Sequence, residues 1–183
     1  HILLIYQMLP NKPEYYKRLG RVDISDLIDF LSYLKFSINK KYNRDSYFLN
    51  CDSCFIVEHG KVLDENLLKM FMQCSKDLID CLHLSYGSGT SNNIQFSLLK
   101  SNGLIKEHSD IGEGFEQSHR IHLPLVTNSQ VEFSIGKRKY NFEEGIAVEI
   151  NNQKNHSVAN SSDKDRIHLI IDYRPKYIAT LRR

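Results

Sequence analysis

The chain has 183 residues, with 24 basic and 22 acidic side chains and a formal charge of +2. That length suits one compact domain that buries roughly two-thirds of its unfolded surface without a disulfide or metal staple. At 41% apolar and 25% charged, its composition is that of an ordinary globular protein. So small a net charge argues against nucleic acid as the main partner, because phosphate binding wants a dense Lys/Arg surface. The lack of tryptophan weakens readings based on stacked bases or sugars. Apolar runs such as Ile2–Tyr6 and Leu169–Ile171 fall far short of the ~20 residues of a membrane helix. The start, at His1, lacks the order of a signal peptide and reads as a tag remnant or a cut from a longer chain. Four cysteines, Cys51, Cys54, Cys74 and Cys81, include one Cys-x-x-Cys pair with no second pair at ligand spacing. Reduced thiols, no membrane and a cytoplasmic location are therefore expected.

In chain order, Leu27, Ile28, Phe30, Leu31 and Leu34 recur at helical spacing and predict a helix over Ser25–Leu34, with Asp23 or Ser25 as N-cap. A longer helix is predicted from Asp64 to about Leu84, striped by Leu67, Met70, Phe71, Cys74, Leu78 and Leu82. Tyr86–Asn93 reads as a Gly/Ser/Thr/Asn loop. Short β-rich runs then alternate with turn signals: Ile94–Leu99, Leu104–His108, His119–Val126, Gln130–Ile135, Lys137–Phe142, Ile146–Ile150, Ser157–Asn160 and Arg166–Tyr173. Gly136 and Glu143-Glu144-Gly145 mark turns between them. The expected fold is mainly β with N-terminal helices: a double-stranded β-helix (jelly roll, cupin-like) buttressed by α-helices. In that single domain, residues 1–93 are mostly helical support and 94–173 the roll. Residues 174–183 form a basic tail with Arg174, Lys176, Arg182 and Arg183.

Five of the eight histidines fall on or beside the predicted strands. His108-Ser109-Asp110 places a histidine and a carboxylate on one face of extended backbone, where both reach one metal ion. A distant histidine, His156, completes a set of two histidines and one carboxylate. That set suits Fe(II), holding one face of the octahedron and leaving the other open. The tetrapeptide Arg120-Ile121-His122-Leu123 recurs as Arg166-Ile167-His168-Leu169. On each strand Arg and His share a face, so they either line a lumen with anion-binding groups or form the wet outer face of an amphipathic strand.

The order and spacing of these motifs resemble the aspartyl/asparaginyl β-hydroxylase-like family of Fe(II)- and 2-oxoglutarate-dependent oxygenases, particularly its bacterial, proline-hydroxylase-like members. The likeness is carried by His108-Ser109-Asp110, Arg120 to Asn128, Val131-Glu132-Phe133, Glu144-Gly145, His156 to Asn160 and Asp165 to Asp172. It implies His108, Asp110 and His156 as ligands of Fe(II), and Arg166 as the clamp on the distal carboxylate of 2-oxoglutarate. Ser97 would assist, with Arg120 and His122 near the oxoacid end. It implies a dioxygenase that uses O2 to hydroxylate an unactivated C–H of an amino acid or amino-acyl group, releasing succinate and CO2. Asn160 is a candidate contact for a polar substrate, and His168, inward by alternation, is a second candidate without an assigned role. The loop Ile111–Ser118 is read as a substrate-facing lid or a plain connection. The competing readings are a non-catalytic cupin-like protein that binds metal or a small acid, and a structural interaction module.

Overall fold

The computed structural model describes residues 10–37 and 48–176. The Ile2–Tyr6 run and Arg182 and Arg183 of the basic tail lie outside the described residues. In order the elements are β1 (Tyr16–Arg21), α1 (Ser25–Phe30) continued by a 3-10 turn over Leu31–Tyr33, β2 (Phe48–Glu58), β3 (Lys61–Val62), α2 (Glu65–Cys74), α3 (Lys76–Tyr86) and β4 (Gly89–His108). There follow α4 (Glu113–Glu116), β5 (His119–Val126), β6 (Val131–Ile135), β7 (Arg138–Tyr140), β8 (Ile146–Ile150), β9 (His156–Asn160) and β10 (Arg166–Pro175).

Neighbouring strands run in the order β1-β8-β5-β10-β4-β9-β6-β7, all antiparallel, and β2 with its partner β3 adds on at β4. The 20-residue β4 makes the roll. Its first part pairs with β10 and β2, while its end crosses over to β9, with His108 opposite His156. The sheet thus folds onto itself as a double-stranded β-helix with a larger and a smaller wall.

Period-two alternation sorts side chains between two apolar clusters. Ile121, Leu123 and Leu125 of β5 and Leu169 and Ile171 of β10 face outward, packing with Leu27, Phe30, Phe71, Leu78 and Leu82 of the helices. At the centre of that layer the rings of Phe30, Phe71 and Phe96 sit 5.7–6.2 Å apart. The second cluster lies inside the roll, where Phe133, Ile135, Val148, Ile150 and Val158 pack together. The inward positions left over, Arg120 and His122 on β5 and Arg166, His168 and Asp172 on β10, are polar and buried or nearly so. The helix layer therefore supplies apolar burial and leaves the lumen to chemistry.

Several local expectations change. The described part of residues 1–93 is not mostly helical, since it also carries β1, β2 and β3. The helix expected over Asp64–Leu84 is two helices that break at Ser75, where the backbone leaves helical geometry at φ −105° and ψ 17°. Asp64 caps the first by accepting from the Leu67 amide at 2.9 Å. Ile94–Leu99 and Leu104–His108 are one strand, and β4 already begins within the Gly/Ser-rich stretch. Gly89 is there because a Cβ would stand 2.5 Å from the Arg174 carbonyl. The Ile111–Ser118 loop contains the single turn α4. No helix among the described residues is long and apolar enough to cross a membrane.

Candidate active site

The mouth of the roll opens into a cavity of about 460 Å³ between the two walls, reached from the β2, β4 and α4 side. His108 ends β4, Asp110 follows it, and His156 begins β9 directly opposite. One ligand atom from each of the three lies within 4.8 Å of the others. The Nε2 atoms of His108 and His156 stand 3.9 and 3.8 Å from the two Asp110 oxygens. Each imidazole donates its Nδ1–H to a backbone carbonyl two residues upstream, His108 to Lys106 at 2.8 Å and His156 to Lys154 at 2.9 Å. These bonds select the tautomer that turns the Nε2 lone pair toward Asp110. Asp110 is held from behind, its amide donating to the Asn152 carbonyl at 2.9 Å and its carbonyl accepting from Gln153 at 2.9 Å. Two imidazoles and a carboxylate with an open side suit a divalent transition metal. Among the described residues, these three are the one group of metal-ligating side chains so gathered.

Arg166 lies at the deep end of the cavity and is 1% exposed. Its Nε, Nη1 and Nη2 have no hydrogen-bond partner among the described residues. Burial alone brings its pKa down from 12.5 to about 9, with the Cys51 thiol opposing slightly. A buried, unanswered guanidinium is costly unless a ligand answers it, and the group it matches is a carboxylate gripped at two points. Beside it, His122 lines the cavity with a buried Nε2 that also has no partner, and its Nδ1 is 3.5 Å from Nδ1 of His168. Burial, reinforced by the Arg166 charge, pushes both histidines far below their ordinary pKa, so they stand as a neutral pair. Ser97 lines the same end, its hydroxyl 3.9 Å from the Cys51 sulfur.

Arg120 is used differently. Its Nε and Nη2 each donate to an Asp172 oxygen at 2.8 Å, and its Nη1 donates to Asp110 Oδ2 at 2.6 Å. Burial opposes its charge, but the two carboxylates outweigh that and lift its pKa above the ordinary arginine value. Asn93 extends the chain, donating to Asp172 at 2.6 Å and accepting from the His59 amide at 2.7 Å. The sequence reading missed Asp172. A charge inside the apolar run Leu169–Tyr173 was the available signal, because such a residue is almost never buried unpaired.

Two expected substrate contacts lie elsewhere. Asn160 is outside the cavity lining: its amide donates to the carbonyls of Leu99, Lys100 and Lys164 and its oxygen accepts from Ser162. His156 and Val158 face the cavity, and Asn160, next on the same face of β9, has passed its closed end. His168 is buried beneath His122 rather than exposed to the cavity. No disulfide links the four cysteines among the described residues, and the Cys51/Cys54 pair divides, Cys51 toward the cavity and Cys54 toward the helix-side core.

The His-x-Asp…His cluster at the mouth of the roll is the two-histidine, one-carboxylate donor set of non-haem Fe(II) oxygenases, and an unpartnered arginine lies deeper within. The comparisons agree. The family model described as aspartyl/asparaginyl β-hydroxylase matches residues 36–175. The chain belongs to that family and is a 2-oxoglutarate-dependent oxygenase. A search of curated proteins gives no match. Among solved structures, an oxidoreductase of the 2OG-Fe(II) oxygenase family from Burkholderia pseudomallei superposes with a TM-score of 0.64 at 12% identity, over 85% of this chain and 80% of that one. A viral collagen prolyl hydroxylase from Paramecium Bursaria Chlorella virus-1 gives 0.59 at 9%, over 89% and 97%. A prolyl-4-hydroxylase from Pseudomonas putida gives 0.55 at 10%, over 90% and 95%. At these identities the likeness is one of fold.

Proposed function

We propose that the chain hydroxylates an unactivated C–H of an amino acid or amino-acyl group, with Fe(II) held by His108, Asp110 and His156 and 2-oxoglutarate received by Arg166. The observation that carries this reading is the buried guanidinium with three unpaired nitrogens at the end of a cavity whose mouth holds the ligand cluster. When bound, the iron would let O2 act as the oxidant, with two electrons drawn from the decarboxylation of 2-oxoglutarate, so that one oxygen atom ends in succinate, CO2 is lost and the other oxygen enters the substrate C–H bond. The chain's own residues position and insulate. His108 and His156 present fixed Nε2 lone pairs because Lys106 and Lys154 carbonyls hold the opposite ring protons. Asp110 is oriented by the hydrogen bond from Arg120. Arg166 fixes the far carboxylate of the co-substrate, His122 Nε2 and the Ser97 hydroxyl offer further polar contacts, and Phe133 and Val158 keep that end dry.

Anaerobic addition of Fe(II) and then 2-oxoglutarate should produce a charge-transfer absorption that is lost in His108→Ala and in Arg166→Ala. Admitting O2 with a panel of amino acids and short peptides should release succinate, and mass spectrometry should find one added oxygen in the product. No absorption in the unaltered chain refutes the reading. Absorption without succinate for any panel member favours a protein that binds metal and acid without turnover.

A further inference from the structure

We infer that Glu58 receives a protonated amine of the substrate at the mouth of the cavity, an inference that rests on the oxygenase reading above and names the chemistry of its substrate. The register of β2 carries it. Cys51, Ser53 and Phe55 line the cavity, with Ser53 opposite Ser97 and Phe55 opposite Gln95 on β4. Unbroken alternation would next present Val57. Instead the register shifts between Phe55 and Val57. The consecutive residues Ile56 and Val57 both enter the helix-side core, and Glu58 lines the cavity. A bulge re-aims side chains in this way, and here it brings a half-buried carboxylate to the mouth.

That carboxylate has no hydrogen bond or ion pair among the described residues, although Lys61 stands opposite it in the β2–β3 hairpin. Its polar neighbours are engaged: Asn93 with Asp172 at 2.6 Å, and Gln95 donating to the Ser53 hydroxyl at 3.1 Å. Lys12, the half-buried cation near Asp110 and Asp172, is engaged by the Phe115 and Ser118 carbonyls and by Asn152 Oδ1, so it does not pair with Glu58. Beside the Glu58 carboxylate, Phe55, Phe115 and Ile111 give the mouth apolar walls that lessen solvent screening and, in Phe55 and Phe115, ring faces suited to a cation. An anion at the outer end, opposite a buried cation at the inner end, selects a cationic group on the substrate and repels a second acid.

The test titrates the full chain, loaded anaerobically with Fe(II) and 2-oxoglutarate, with L-proline, L-leucine, L-lysine and agmatine, each beside its fully N-acetylated form. The readout is the perturbation of the charge-transfer absorption. At least one free amine should perturb it with an affinity at least tenfold above its acetylated partner. Glu58→Gln should keep the absorption and weaken that amine about tenfold, the worth of one charge-assisted hydrogen bond, and Glu58→Lys should abolish the response. The inference is overturned if no amine perturbs the absorption, if acetylated forms bind as well, or if Glu58→Gln binds the amine unchanged. Failure of the oxygenase reading is a different result: no charge-transfer absorption in the unaltered chain.

Discussion

Replacing Arg166 with methionine should stabilise the ligand-free protein while destroying its ability to bind 2-oxoglutarate. The side chain is 1% exposed and its three nitrogens are unpartnered among the described residues. Holding a guanidinium whose pKa has fallen from 12.5 to about 9 costs on the order of 5 kcal/mol in the ligand-free state. Solvent entering the cavity and local relaxation recover part of that. Replacing buried charges by apolar groups of similar volume yields gains of about 1–4 kcal/mol, so about 2 kcal/mol is the working figure. For a chain of this size that corresponds to a rise in Tm of roughly 4–8 °C. Calorimetric melts at neutral pH should show it. Added 2-oxoglutarate should raise the Tm of the unaltered protein, because only the folded state binds it, and leave Arg166→Met unmoved. A lower Tm in the variant, or a ligand-dependent rise that survives in it, would refute the assignment of Arg166 as the carboxylate clamp.

The same arginine sets a pH limit. Arg166 carries its charge fully only below about pH 9, and a bound carboxylate favours the charged form, so this part of the affinity is present below that pH and lost as pH rises through it. Titrations of 2-oxoglutarate should be flat to about pH 8.5 and then weaken by up to about tenfold per pH unit, whereas an unchanged affinity at pH 10.5 would contradict it. Asp172→Asn removes the carboxylate that orients Arg120 against Asp110. It should lower Fe(II) affinity by about 10–100-fold in competition with a chromophoric chelator, and unchanged affinity would show that the trio does not position Asp110. Gly103→Ala would place a Cβ 2.6 Å from Leu99 Cδ1 and 2.8 Å from the Lys100 carbonyl. The cost should be about 1–3 kcal/mol, seen as a lower Tm with the charge-transfer absorption retained.

The parts of the fold that were legible in the sequence are those whose two faces differ in polarity. β5 and β10 alternate apolar residues toward the helices with Arg, His and Asp toward the lumen, and period two reveals them. β2 escaped because both its faces are occupied: Cys54 and Ile56 pack under the helices while Cys51, Ser53 and Phe55 face the cavity, and the bulge before Val57 breaks what alternation remains. The edge strand β1 has mostly exposed side chains and no apolar pattern to read, yet it forms by pairing with β8. In β4, Lys100–Gly103 has the composition of a turn, but the strand continues through Asn102 at φ 54° while Asp165 and Ser162 satisfy the Ser101 side of the irregularity. Local turn chemistry was recognised there, and tertiary pairing overrode it.

The two Arg-Ile-His-Leu segments show why the site itself was only partly legible. Alternation places Arg and His inward on both strands, which is what the structure has. It does not say at which level of the lumen each arginine lies. Antiparallel pairing of β5 with β10 sets Arg120 opposite Asp172 and His122 opposite Ile170, so the two tetrapeptides run to opposite ends of the cavity. Arg120 lands at the level of Asp110 and meets two carboxylates. Arg166 lands beside Leu99, at the closed end, and meets none. One arginine is thereby spent on orienting a ligand side chain, and the other is left with unused binding capacity. The division follows from strand register, a property of chain pairing that no single segment encodes, and it turns two copies of one motif into two different tools.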